Sequence, residues 1–286
     1  MIRVNGKVVE QNRFPDGTLA LKPDFRINKG YCVDDCGTTE VSNNDNWIDW
    51  SYDSDSEMFT IMSIVDIIRR NGGEHISLNL PYVPNSRMDR IKSSTENFSL
   101  KVFTNWLNSL NFDKVRVLNV HSNVSEALIN NIESELPEYD IMKVNLNYRP
   151  EVIFFPDEGA CKRYSDMNII KDMNLPIAFG IKKRDWKTGK ILDLEVINGS
   201  EVYGKKVLII DDICSAGGTF KFSAIKLLEL GAKEVVLYVS HCENNIQNGD
   251  LLNTDLISTI YTTDSILTIK DPKIKIINRY RDYTFE

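Results

Sequence analysis

Apolar and polar positions follow two periods along this chain. Val207 to Ile210 form an unbroken run of β-formers, the pattern of a strand buried on both faces of a parallel sheet. The pair Asp211–Asp212, a Gly-rich turn and an amphipathic helical stretch follow it. The same succession recurs along the chain. Strands are expected at residues 2–9 and 18–23, and a helix at 56–70, where Met58, Ile61, Met62, Val65 and Ile68 share one face. Strand 75–82, helix 95–110, strand 115–120 and helix 124–134 come next. After Pro137 the pattern restarts, with strands near 151–156, 177–182, 206–210 and 234–240, and the alternating tail 274–286 is expected to close one sheet. Strands that alternate with helices predict an α/β protein with parallel sheets, in two domains of residues 1–140 and 141–286.

Composition narrows the function classes. At 286 residues the chain has room for about two ordinary domains, and 42% hydrophobic with 26% charged residues is a globular composition. A net charge of −7 argues against a general nucleic-acid binder, which needs a basic footprint, and leaves small phosphorylated ligands open. No apolar run suits a signal peptide or a membrane span, so no membrane partner and a cytoplasmic location are expected. The five cysteines are scattered, and Cys32 and Cys36 lack the second pair of a zinc site, so reduced structural thiols are expected. Residues 30–56 are polar and acidic and give no clear pattern.

The chemistry concentrates after the strand at 207–210. An acid pair at the C-terminal end of a parallel strand stands where open α/β sheets bind ligands. The turn Ser215, Ala216, Gly217, Gly218, Thr219 would bring backbone N–H groups to a phosphate at the start of the next helix, whose dipole favours an anion. The spacing is neither a Walker A loop nor G-x-G-x-x-G.

It resembles instead the ribose-phosphate motif of type I phosphoribosyltransferases and of ribose-phosphate pyrophosphokinases. Other segments favour the kinases. Pro81, Tyr82, Arg87, Asp89 and Arg90 are similar to their P-Y-x-x-x-x-R-x-D-[RK] segment, whose arginine contacts ATP. Phe14, Asp16 and Gly17 resemble F-x-[ND]-G-E, which implies Phe14 stacked on adenine and Asp16 accepting from it, although Thr18 replaces the glutamate. The strand ending Asn119, Val120, His121 resembles D-L-H and implies His121 near the metal-nucleotide. Pro156, Asp157, Gly159, Ala160, Lys162 and Arg163 resemble P-D-x-G-[GA]-x-[KR]-R and imply Asp157 at Mg²⁺ and the ribose hydroxyls; Asp157 can equally serve as an N-cap. Lys182 and Arg184 are similar to the K-x-R pair of a mobile loop and would stabilise charge on the transferring phosphates.

The resemblance implies two phosphoribosyltransferase-like domains with ATP at the interface of the two. It also implies Mg²⁺-dependent transfer of the ATP β,γ-diphosphate to the C1 hydroxyl of a 5-phosphorylated ribose, and a homo-oligomer, dimer or hexamer. Departures gather at the acceptor, where D-T-x-G-T has become Ser215 to Thr219, so that ADP-ribose competes with ribose 5-phosphate as the acceptor. A phosphoribosyltransferase and a non-catalytic regulatory homologue remain alternatives. The first would leave Phe14 and Arg87 without a role, and the second would not need Lys182, Arg184, Asp157, Asp211 and Asp212.

Overall fold

The computed structural model describes residues 1–29, 32–33, 39–40, 45–184 and 191–280, and the chain divides into one compact unit of Met1–Glu135 with Tyr280–Glu286 and another of Leu136–Arg279. The sequence pattern put the boundary five residues later and the whole tail in the second unit. Tyr280 belongs with the first because its carbonyl accepts a 2.6 Å hydrogen bond from the buried Arg3 guanidinium.

In the first unit, strands β1 (Ile2–Val4) and β2 (Lys7–Val8) form a hairpin where the sequence suggested one strand. Asn5 and Gly6 both have positive φ, 49° and 82°, as a tight hairpin turn requires. β3 (Gln11–Arg13) and β4 (Leu19–Leu21) form a second hairpin, and β5 (Cys32–Val33) pairs with β6 (Thr39–Glu40). The main sheet is built from β7 (Asp45–Trp50), α1 (Glu57–Arg70), β8 (His75–Asn79), α2 (Ser99–Ser109), β9 (Lys114–Leu118), α3 (Asn123–Leu128) and β10 (Ile132–Glu135). Its order is β10-β9-β8-β7-β1-β2. The pairs from β7 to β10 are parallel, whereas β1 and β2 add antiparallel strands, so this sheet is mixed. The expected helix 124–134 ends at Leu128. Asn131 turns through φ 54°, and the chain then adds β10 to the sheet edge, recovering backbone hydrogen bonds that a continued helix would have made internally. Its core joins Ile48, Trp50, Ile76, Leu78, Val115 and Val117 to Ile61, Ile64 and Ile68 of α1 and Phe103 and Leu107 of α2.

The second unit runs α4 (Glu138–Tyr148), β11 (Val152–Phe155), α5 (Glu158–Tyr164), α6 (Asn168–Met173), β12 (Ile177–Arg184), β13 (Ile191–Ile197), β14 (Lys206–Cys214), α7 (Gly218–Glu229), β15 (Glu234–Cys242), β16 (Thr259–Thr263) and β17 (Ile274–Ile277). The order is β13-β12-β11-β14-β15-β16-β17, parallel except for β13. Alternate residues of its central strands enter two cores. Val207, Ile209, Val235 and Leu237 pack with Phe220, Ala224 and Leu227 of α7, while Leu208, Ile210 and Val236 pack with α4, α5 and α6. Burial on both faces explains the unbroken apolar runs. Buried Asp140 accepts from Tyr238 Oη at 3.1 Å and pairs with Arg279 at 3.1 Å, tying α4 to the chain beyond β17. Among the described residues no helix is long and apolar enough to cross a membrane.

Candidate active site

The order of the second sheet places a topological switch between β11 and β14. From β11 the chain steps to β12 on one side, then returns to lay β14 on the other. The helix after β11 (α5) and the helix after β14 (α7) pack into different cores. The loops that leave the carboxyl ends of β11 and β14 therefore diverge and open a crevice, the place where such sheets bind ligands.

Asp157 follows β11 at this edge. It caps α5, its Oδ1 accepting the Ala160 N–H at 3.0 Å. Asp211 and Asp212 come from β14, whose Phe154–Ile209 register sets them beside the end of β11. The strand does not end before them as the apolar run suggested. It continues to Cys214, and the ladder to β15 runs through Ile213–His241 and Cys214–Cys242. The acid pair is thus held by a paired backbone rather than by a loop. Asp212 N–H donates to Asp211 Oδ1 at 3.0 Å, and Asp212 lies 3.8 Å from Arg163 of α5. Burial pushes Asp211 well above the usual carboxylate range, the Asp212 charge adds to this, and the Asp157 charge acts in the same direction. Three carboxylates therefore bear on one small region, with the Arg163 guanidinium beside Asp212.

After Cys214 come Ser215 and Ala216; Gly217 stands at the N-cap with φ 81°, and Gly218 and Thr219 are already the first residues of α7. A Cβ on Gly217 would lie 2.2 Å from Leu251 Cδ1, which with the positive φ restricts the position to glycine. At Gly218 no atom lies within 4 Å of a Cβ position, so the first turn of α7 is open on that side. The first N–H groups of a helix have no intrahelical partners, and here no side chain caps them. Cys214 and Cys242 are buried free thiols whose Sγ atoms donate to the Ser215 and Glu243 carbonyls; the neighbouring Cys242 thiol and burial push the Cys214 thiol well up.

The nucleotide candidates lie in the first unit. Phe14 and Asp16 occupy the tip of the β3–β4 hairpin, closed by the Gly17 N–H to Phe14 carbonyl bond at 2.8 Å. Phe14 is 60% exposed. Asp16 Oδ1 accepts the Thr18 N–H at 2.9 Å, and hydrogen bonds from Thr18 hold its carboxyl below the usual range. Beyond β8, Leu118 N–H bonds the Pro81 carbonyl at 3.0 Å, and the turn through Asn85 (φ 62°) leaves Arg87 and Arg90 exposed and Asp89 half-buried. At the end of β9, buried Asn119 adopts φ 43°, with its N–H on Glu135 O at 2.7 Å, and half-buried His121 follows. Asparagine tolerates this left-handed geometry, which suits Asn119 to the position.

Lys182 and Arg184 lie on β12, opposite Leu194 and Ile191 of β13; the remainder of that basic segment, residues 185–190, lies outside the described residues, as does most of 30–44. Among the described residues no group of three or more His, Cys, Asp or Glu side chains is arranged to hold a metal ion alone. Mg²⁺ fits the second unit in another way, since it commonly takes one or two carboxylates with substrate phosphates, and Asp157, Asp211 and Asp212 supply hard oxygen donors. The Lys-Arg pair that follows Asp157 in the sequence gives Arg163 no role of its own, and only the fold brings it beside Asp212. The segment 243–251, which packs against the Gly-rich turn, carries no motif that would mark it in the sequence.

No family model matches the chain. It is 27% identical over 219 residues to a ribose-phosphate pyrophosphokinase of Cereibacter sphaeroides, across 74% of this chain and 64% of that relative's length. To the ribose-phosphate pyrophosphokinase of Pasteurella multocida it is 25% identical over 95% of this chain and 82% of the other. Its fold matches a crystal structure of phosphoribosylpyrophosphate synthetase from Mycobacterium smegmatis with a TM-score of 0.72 at 17% identity, covering 95% of this chain and 86% of that one, as expected of two phosphoribosyltransferase-like domains. The ribose-phosphate pyrophosphokinase of Pyrococcus furiosus is 30% identical across 82% of this chain and 77% of its own length, and on that extent of similarity the chain is an enzyme of the ribose-phosphate pyrophosphokinase family.

Proposed function

We propose that this protein transfers the β,γ-diphosphate of ATP to the C1 hydroxyl of a 5-phosphorylated ribose and releases AMP. The observation that carries this reading is the convergence of Asp157, Asp211, Asp212 and the glycine turn at the switch point of the second sheet. The open first turn of α7 receives the 5-phosphate through backbone N–H groups and the helix dipole. Asp211 and Asp212 hold the ribose hydroxyls. The acceptor hydroxyl oxygen attacks the β-phosphorus in line; the new C1–O–P bond forms as the hydroxyl O–H bond and the bond from that phosphorus to the α,β-bridging oxygen break, the proton passing to solvent and the bridging oxygen leaving with AMP. Lys182 and Arg184 neutralise charge on the transferring group. Mg²⁺, when bound with ATP, supplies further neutralisation of the phosphates, and Asp157 is the residue assigned to hold it. Phe14, Asp16, Arg87, Asp89 and His121 serve the nucleotide. The chain acts as a homo-oligomer.

ADP-ribose is retained as a second acceptor for a specific reason. The space beside Gly218 is unobstructed, and a phosphate within a diphosphate bridge needs room on the side away from the ribose. Incubation with Mg·ATP and either ribose 5-phosphate or ADP-ribose, with products resolved by mass, tests reaction and acceptor together. The expected result is AMP plus one pyrophosphorylated acceptor. Absence of AMP with both acceptors would overturn the reading.

A further inference from the structure

The segment that follows β15 fits the phosphate turn residue by residue. Glu243 N–H bonds the Cys214 carbonyl at 2.8 Å, Asn245 Nδ2 donates to Ser215 Oγ at 2.8 Å, Gly249 lies on Ala216, and Leu251 packs on Gly217. The Gly249 contact is so close that a Cβ there would stand 1.8 Å from the Ala216 oxygen. Lys221 of α7 and Asp250 form an ion pair across the same junction. The last residue of β14 and the first three of the turn are thus fixed by one segment that carries none of the recognised motif.

Among these contacts, Asn245 acts on hydrogen-bond direction. Its Oδ1 accepts from Asn248 Nδ2 at 2.8 Å, which fixes the amide so that its nitrogen faces Ser215. A serine oxygen that receives a donor keeps its own hydrogen to give elsewhere, and hydrogen bonds in series strengthen one another. Ser215 stands at the entrance of the open turn ahead of α7. We infer that Asn245 is a positioning residue: it holds the Ser215 hydroxyl as a donor toward the acceptor's phosphate and compensates for a donor set poorer than the family's D-T-x-G-T. The inference deepens the proposed function and rests on it. It also explains how a turn with Ala216 in place of that motif's first threonine still presents an oriented hydroxyl at its entrance.

The test compares wild type with Asn245→Ala, Asn245→Asp, Ser215→Ala and the Ser215→Ala/Asn245→Ala double variant, by calorimetric binding of ribose 5-phosphate and of ATP and by steady-state kinetics. Asn245 is exposed, so the variants should fold. Asn245→Ala should weaken the phosphorylated ribose by several-fold to tenfold, raising its KM with kcat and ATP affinity little changed. Asn245→Asp should be worse, because a carboxylate takes the Ser215 hydrogen and adds negative charge. In the Ser215→Ala background, Asn245→Ala should have no further effect. Wild-type turnover with unchanged acceptor affinity in both Asn245 variants, or equal losses with and without Ser215, would overturn this inference alone. A wild-type protein that neither binds nor converts a phosphorylated ribose would overturn the inference together with the proposed function.

Discussion

The two units prepare their candidate residues in opposite ways. In the first, the nucleotide candidates stand on turns near solvent: Phe14 is 60% exposed and Arg87 is exposed. In the second, Asp212 is 6% exposed on a paired strand, Asp211 is pushed upward by burial and by its neighbour, and the glycine turn is pinned by a second segment. Exposed side chains on turns cost little stability to keep and must be ordered when ligand binds. Buried like charges carry their cost in the unliganded protein and are relieved by ligand or cation. The second unit is therefore the pre-organised part and the first the adaptable part. Substitutions in the two should differ in what they do to stability as well as to binding.

The largest effect is expected from residues that belong to neither static description. Lys182→Ala and Arg184→Ala should each lower kcat by about a hundredfold or more, since contacts realised in the transition state act on turnover first. ATP affinity measured without turnover should change little. If ATP affinity falls in parallel and kcat stays intact, these residues belong with the nucleotide group, and the contrast must be redrawn.

Next come the carboxylates. Asp212→Ala should weaken the acceptor by roughly ten- to a hundredfold, the equivalent of a charge-assisted hydrogen bond of about 1.5–3 kcal/mol, and leave ATP affinity nearly unchanged. Asp211→Asn tests the stored cost directly. Because its folded value lies above the unfolded one, the native state holds more protons, and its contribution to stability, full below the usual carboxylate range, is lost as pH rises through the raised value. Melting in chelator should therefore show Asp211→Asn more stable than wild type at neutral pH, with the gain vanishing in acid. Added Mg²⁺ should narrow the difference by stabilising wild type more. A variant no more stable at neutral pH would mean that the Asp211 charge is already balanced, and the second unit would lose its distinction.

How far the sequence could be read follows the same division. Apolar runs such as Val207 to Ile210 and Val152 to Phe155 announced buried strands, because burial on both faces admits few other residues. The extension of β14 to Cys214 was not legible: acidic residues ended the apolar run, while the ladder to β15 is a backbone property that continued beneath them. The pattern Val124, Leu128, Ile132 has helical spacing, yet Asn131 and the unfilled edge of β9 decided for β10. Asp157 and the glycine turn stand out as candidates in the sequence because carboxylates and glycines at strand ends carry chemistry in their identity. Asn245, Gly249 and Leu251 could not, since their role depends on a contact between segments about thirty residues apart.

On the nucleotide side, Arg87→Ala should weaken ATP by about tenfold, in line with a charged hydrogen bond near the lower end of about 1.5–3 kcal/mol. Acceptor affinity and melting temperature should stay close to wild type, because the side chain is exposed on its turn. Equal weakening of the acceptor would show that the two sets of residues do not act on separate substrates.

The smallest effect is expected at Phe14. Its ring stands at the tip of the β3–β4 hairpin, and the turn beneath it is kept by the Gly17 N–H to Phe14 carbonyl bond and by Asp16 accepting from Thr18, neither of which uses the ring. Phe14→Ala should accordingly leave the melting temperature unchanged. Stacking of a base on an aromatic side chain contributes about 1–3 kcal/mol, and an exposed ring that must first be ordered should fall at the low end, about a fivefold loss of ATP affinity. Phe14→Trp should recover it, since a larger π-face serves a base equally well. A loss of stability without a loss of affinity would assign Phe14 to packing, and the hairpin would then belong with the pre-organised parts of the molecule rather than the adaptable ones.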